Sequence, residues 1–161
     1  MTLPRSPLIL AALLLAACGD RSPEQAQQKL ATIHVAPTPE ALIAKTKDPK
    51  AENVAKLLVE AGVDPNARQA NGMTALMSAA FNGQRDVAEA LLKRGADVKA
   101  DARGYNALAL SVEKGDKAMV KLLLAHGASP TERPAGGLSA LERAQNRQDG
   151  AMVELLSRGG K

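Results

Sequence analysis

The chain has 161 residues, and its 21 basic and 17 acidic side chains give a formal charge of +4 at neutral pH. Hydrophobic residues make up 45% of it, which is enough for a folded chain, and the length suits one domain rather than two. One Phe, one Tyr and no Trp leave Ala, Leu and Val to build the core, which favours small repeated helical layers. The net charge is small, the basic and acidic residues are interspersed, and aromatic side chains are scarce. We therefore expect no nucleic acid partner.

The N-terminal segment has the pattern of an export signal. One basic residue, Arg5, precedes an apolar run from Leu8 to Ala17, and the first acidic residue is Asp20. A run of about ten apolar residues is far shorter than a membrane-spanning helix requires. We therefore predict that residues 1–17 form a signal peptide rather than a membrane span or a core helix.

The end of this segment, Leu15-Ala16-Ala17-Cys18, resembles the lipobox of bacterial lipoproteins. The resemblance implies that the Cys18 thiol receives a lipid and that the leader is cut in front of it. Cys18 is the only cysteine, so no disulfide can use it. We expect a lipid-anchored chain in the bacterial cell envelope that faces the periplasm. Gly19 after the cysteine favours the outer membrane over the inner one. The alternatives to a lipid-anchored chain are plain secretion and a cytosolic protein.

Residues 18–37 are polar, and we interpret them as the lipidated cysteine followed by a linker with partial disorder. Ser22 followed by Pro23 is typical of a helix N-terminus, so a short helix can begin there. His34 has no neighbouring residues of the kinds that bind metals, and we assign it no function.

Residues 38–161 contain a motif that recurs every 32 or 33 residues. The period is marked by three sets of glycines: Gly62, Gly95, Gly127 and Gly159; Gly72, Gly104 and Gly137; Gly83 and Gly115. Periods of this length indicate a solenoid of stacked repeats, because each unit is too small to bury a core alone. We place the repeats at 38–67, 68–100, 101–131 and 132–161.

Each repeat is predicted to hold two helices. The first begins after a short polar residue that can accept a hydrogen bond from the helix N-terminus, namely Thr74, Asn106 or Ser139. Gly83 and Gly115 are expected to end it in the left-handed conformation. A second helix follows, for example from Arg85 to Lys93, and a turn-rich arm leads to the next repeat.

This pattern resembles the ankyrin repeat. The family motif is matched in the second repeat by Gly72, Thr74, Leu76, Ala79, Ala80, Gly83, Val87, Leu91, Leu92, Gly95, Ala96, Asp97, Val98 and Ala100. The chain departs from the motif where Ala75, Ala107 and Ala140 replace Pro, and where Met77, Ala109 and Glu142 replace His. The resemblance implies an all-α ankyrin-repeat solenoid of about four helix-turn-helix repeats with β-turn arms, less stable than a consensus array.

The resemblance also implies a scaffold that binds a protein through its arms and the concave face of its first helices. The residues carried over by position are Asn71, Met73, Phe81 and Asn82 in the second repeat, Arg103, Tyr105, Glu113 and Lys114 in the third, and Leu138, Asn146 and Arg147 in the fourth. The only two aromatic residues fall in this set, and aromatic side chains are enriched in interfaces. The alternative is that Phe81 fills a gap between repeats and Tyr105 is an ordinary turn residue.

We expect no enzyme, cofactor, metal site or small-molecule substrate. The two histidines lie apart, no residues have metal-ligand spacing, and no phosphate-binding loop is present. His126 precedes Gly127 and is expected at a helix C-terminus. The function expected is protein–protein interaction in the envelope, as an immunity or stress-protection factor, and a structural scaffold with several partners is the alternative.

Overall fold

A computed structural model describes residues 22–159, so Cys18 and the predicted signal peptide lie outside the described residues. In this part the chain forms nine α-helices: α1 (Pro23–Thr32), α2 (Pro39–Lys47), α3 (Glu52–Glu60), α4 (Ala75–Asn82), α5 (Arg85–Lys93), α6 (Ala107–Lys114), α7 (Lys117–Ala125), α8 (Ala140–Asn146) and α9 (Gly150–Gly159). A 3-10 turn, Pro49–Ala51, joins α2 to α3. Between residues 22 and 159, no helix is long and apolar enough to cross a membrane.

The helices stack in two rows. The first row consists of α2, α4, α6 and α8, the second row of α3, α5, α7 and α9, and each helix packs on its row neighbours and on its partner in the other row. The core between the rows is continuous and is filled by Ala, Leu, Val and Met side chains, among them Leu58, Leu76, Leu91, Leu108 and Leu123. This arrangement confirms the predicted all-α repeat solenoid.

Local hydrogen bonds set the helix ends where the sequence predicted them. The side chains of Thr74, Asn106 and Ser139 each accept a hydrogen bond from the backbone amide three residues later, at 3.2, 2.8 and 3.2 Å. Gly83 and Gly115 end α4 and α6 with φ of +69° and +68°, a conformation that costs glycine little. His126 caps α7, and its Nδ1 lies 2.9 Å from the Leu122 carbonyl oxygen.

The arm between α5 and α6 is a short antiparallel hairpin of β1 (Asp101–Ala102) and β2 (Tyr105–Asn106). Arg103 and Gly104 form its two-residue turn, and both have positive φ. Two consecutive residues of positive φ are the geometry whose twist matches that of a tight hairpin. Arg103 is exposed at the tip of this arm.

The segment interpreted as a linker differs from the expectation. Ser22 caps α1 as its sequence suggested, and α1 packs against α3 with Ala26 and Leu30 buried. The Gln27 side chain donates a hydrogen bond to the Ala61 carbonyl at 3.3 Å. Ala26 and Leu30 lie four residues apart on one helix face, a pattern that the surrounding polar residues obscure in the sequence. The short helix expected after Ser22 is therefore present, and residues 23–32 pack on the first repeat, so this part of the segment is not a disordered tether.

Candidate functional site

The predicted binding residues occupy recurring positions of the repeat. One position follows the arm glycine (Met73, Tyr105, Leu138). Two consecutive positions lie at the C-terminal end of the first-row helix (Phe81, Glu113, Asn146; Asn82, Lys114, Arg147). Two further residues precede an arm glycine (Asn71, Arg103). The structure places most of them in two groups with different chemistry, and it leaves Arg103 and Asn146 exposed apart from both groups.

The first group surrounds Phe81 on α4. Phe81 as a residue is 44% exposed, so its side chain does not fill a gap between repeats. It borders a depression of about 290 Å³ that is lined by Lys47, Gln69, Asn71, Met73, Ser78, Phe81 and Asn82. We call this surface the Phe81 depression. It contains all four of the residues that the sequence analysis selected in the second repeat.

Hydrogen bonds and a ring contact hold the walls of the Phe81 depression in place. The Asn82 side chain donates to the Thr46 carbonyl at 2.8 Å, which ties α4 to α2. The Lys114 Nζ, from the next repeat, lies 3.7 Å from the centroid of the Phe81 ring. A cation in this position is attracted to the face of the ring, which orients both side chains. The depression is therefore preformed, with an ammonium group on the exposed ring.

The second group surrounds Arg143 on α8, a residue that the sequence analysis did not select. Its guanidinium lies 4.0 Å from the Tyr105 ring centroid and donates from Nη1 to Glu113 Oε1 at 2.9 Å. It also donates from Nη2 to the Gly104 carbonyl at 2.7 Å and from Nε to the Leu138 carbonyl at 3.1 Å. Every nitrogen of the guanidinium thus has an acceptor, which a buried cation requires.

Arg147 completes this group by donating to the other carboxylate oxygen of Glu113 at 3.1 Å. We call Tyr105, Glu113, Arg143 and Arg147 the Arg143 cluster. Three of the predicted binding residues therefore use their side chains to join the third repeat to the fourth. Leu138, which is 38% exposed, contributes its carbonyl oxygen.

The backbones of two arms meet beside the Arg143 cluster. A Cβ atom on Gly137 would lie 2.0 Å from the carbonyl oxygen of Gly104, closer than real Cβ atoms approach any neighbour. The same carbonyl accepts the hydrogen bond from Arg143. Glycine at 137 is therefore required by the close approach of the arms.

Arg143 could have been recognised from the repeat alignment. The corresponding residues of the preceding first-row helices are Ser78 and Leu110, and both are buried. A charged residue in a buried register implies a partner of opposite charge nearby, and the nearest acidic residue on the neighbouring helix is Glu113. Lys47 was missed because the first repeat lacks the glycine that sets the alignment in the others.

Glu142 at the start of α8 has a pKa that departs from the ordinary value of a glutamate. Its carboxylate accepts hydrogen bonds from the backbone amide and the hydroxyl of Ser139, both at 2.9 Å, and it also pairs with Arg133. The backbone hydrogen bond, followed by the Arg133 contact, lowers the pKa of Glu142 below its ordinary value. Glu142, which stands in place of the motif His, thus closes a capping box at the start of α8.

Within residues 22–159, no group of three or more His, Cys, Asp or Glu side chains could hold a metal ion.

The sequence matches one family description, "Ankyrin repeats (3 copies)", over residues 12–102 and 40–134. An ankyrin repeat-containing protein of Treponema pallidum is 34% identical over 106 residues, covering 65% of this chain and 36% of the relative. The B-cell lymphoma 3 protein homolog of Mus musculus is 39% identical over 100 residues, covering 61% and 22%. The palmitoyltransferase Hip14 of Drosophila melanogaster is 38% identical over 86 residues, covering 52% and 14%. The match therefore covers 36% of the length of the first of these relatives and a smaller share of the other two.

Proposed function

The chain belongs to the ankyrin-repeat family, whose members are generally non-enzymatic protein-interaction modules, and we propose that it binds a protein partner in the bacterial envelope while anchored through Cys18. The observation that carries the proposal is the exposure of the single Phe within a preformed depression. A ring of that size is usually buried in a monomer, and exposed aromatic side chains in concave sites are typical binding anchors.

The Arg143 cluster supports the assignment of binding to the Phe81 depression rather than to the whole face. Glu113 pairs with both Arg143 and Arg147, and the Tyr105 ring lies against Arg143. Using these side chains for a partner would therefore cost internal contacts. Phe81 has only the contact with the flexible Lys114 side chain across its junction, and no ion pair or hydrogen bond of the Met73 side chain is described, so a partner can contact both at a lower cost. The proposed binding surface is therefore that of the second repeat.

A photo-crosslinking residue in place of Asn71 tests the binding surface in intact cells. Illumination is expected to link the chain to a partner, whereas the same residue in place of Lys121, an exposed position on α7, is expected to capture little. One dominant product supports an immunity or stress-protection factor that blocks or shields a single protein. Several envelope proteins in comparable amounts support the alternative, a structural scaffold. Equal capture from both positions would contradict the proposed surface.

The anchor is supported by the sequence alone: the basic residue, the apolar run and the small residues before the single cysteine. Cells grown with radioactive palmitate are expected to label the chain, and Cys18→Ala is expected to remove the label and release the chain from the membrane fraction. Label retained in Cys18→Ala would contradict lipidation at this residue. Separation of inner and outer membranes tests the expectation that the anchor lies in the outer one.

A further inference from the structure

The charged side chains in direct contact with the Phe81 depression are both lysines. Lys47 is the charged member of its lining, and it is exposed. The Lys114 ammonium lies over the Phe81 ring on the side of the next repeat. The two apolar side chains of the lining, Phe81 and Met73, thus have a lysine from each neighbouring repeat beside them.

Two acidic residues lie next to these lysines in the sequence, and the carboxylate of each has a contact of its own. The Asp48 carboxylate, just after α2, accepts a hydrogen bond from the Lys50 amide at 2.9 Å. Glu113 on α6 is held by two arginines, Arg143 and Arg147. Neither acidic residue forms an ion pair with Lys47 or Lys114 among the described contacts, and both lysines are exposed.

The uncharged polar groups of the lining are oriented by the fold. The Gln69 amide donates to Ser78 Oγ at 3.2 Å, and the Asn71 carbonyl oxygen accepts from the Met73 amide at 3.0 Å. Asn82 is bonded to the first repeat. Electrostatic selectivity at this surface therefore falls to the two lysines.

We propose that the Phe81 depression binds an acidic segment of the partner that places a large apolar side chain against Phe81 and Met73. Its carboxylates lie next to Lys47 and Lys114. This inference rests on the proposed function, because it names the class of partner for the same surface.

Complementary charge is the reason for choosing an acidic occupant. A basic segment would bring like charges against both lysines, and an uncharged one would remove water from the ammonium groups without replacing its hydrogen bonds. An acidic segment pairs with them and buries the exposed part of the ring. The attraction is between surface charges, so the affinity falls as the salt concentration rises.

A random peptide library displayed on phage and selected on the full-length chain tests this inference. Selected peptides are expected to be enriched in Asp and Glu around at least one Phe, Leu, Met or Trp. With the best peptide as a fluorescent probe, Lys47→Glu is expected to weaken binding by about tenfold, since it reverses one flanking charge. Lys121→Glu, a matched reversal on α7, is expected to leave the affinity unchanged.

The outcomes separate the inference from the function on which it rests. Selected peptides without acidic enrichment, or acidic peptides that bind Lys47→Glu as tightly as the unaltered chain, would overturn the inference. Crosslinking from Asn71 would in that case still report a partner, and the proposed function would stand. If the crosslinking residue at position 71 captured no partner, both the inference and the proposed function would be contradicted.

Discussion

Two neighbouring junctions between first-row helices use equivalent positions in different ways. Between α4 and α6, Lys114 reaches back to Phe81 and leaves that residue 44% exposed. Between α6 and α8, Arg147 and Arg143 reach back to Glu113, and the Arg143 side chain is only 9% exposed. The same backbone geometry thus presents an apolar ring to solvent at one junction and closes the other with ion pairs.

The difference shows how a repeat array separates binding from stability. Each repeat contacts only its neighbours, so the strength of one junction is set by the few side chains that cross it. The Arg143 cluster consumes its polar groups within the chain, whereas the Phe81 depression keeps its ring and two lysines available. A substitution at one junction should therefore change stability, and the equivalent substitution at the other should change binding.

The largest effect on stability is expected from Gly137→Ala. The added Cβ would meet the Gly104 backbone at 2.0 Å, and moving the Gly104 arm away would disturb the hydrogen bond that its carbonyl accepts from Arg143. We expect the free energy of unfolding in urea to fall by about 3 kcal/mol, as for severe overpacking. Gly150→Ala is the control, since a Cβ there meets nothing within 4 Å and Ala favours the helix. Equal stability of the two variants would contradict the close approach of the arms.

A smaller loss of stability is expected when Arg143 is removed from the Arg143 cluster. Arg143→Ala leaves two carbonyl oxygens without their donor and removes the cation from the Tyr105 ring, but Glu113 keeps Arg147. The expected loss is about 2 kcal/mol in urea unfolding. Arg143→Lys keeps the charge but not the planar fork, so it is expected to restore only about half of that loss. Full recovery in Arg143→Lys would show that the charge alone matters.

The smallest effect on stability is expected from a change in the capping box of α8. The pKa of Glu142 is lowered in the folded chain, so its carboxylate stabilises the fold above its ordinary pKa and loses that contribution as the pH falls through the lowered value. Glu142→Gln keeps the shape but not the charge. Melting temperatures of the two chains are expected to differ near neutral pH and to converge in acid, and a constant difference across that range would contradict the assignment.

Glycine spacing and short polar caps predicted most of the fold, because both act within a single repeat. The helix bounds of α5 and the left-handed ends at Gly83 and Gly115 were predicted residue by residue. The contacts between repeats were not predicted, since they depend on which side chains meet across a junction. Tyr105 illustrates this: its position predicted a groove residue, and only the structure places Arg143 on its ring.

The central claim is that the Phe81 depression binds while the Arg143 cluster stabilises. It is tested most directly by comparing Phe81→Ala with Tyr105→Ala in two assays, crosslinking from position 71 in cells and urea unfolding of the purified chains. We predict that Phe81→Ala lowers crosslinking by about tenfold or more, as for an interface hot spot, with a nearly unchanged unfolding midpoint. Tyr105→Ala is predicted to lower the midpoint more than Phe81→Ala and the crosslinking less. Undiminished crosslinking in Phe81→Ala, or a larger loss of stability there than in Tyr105→Ala, would contradict the account.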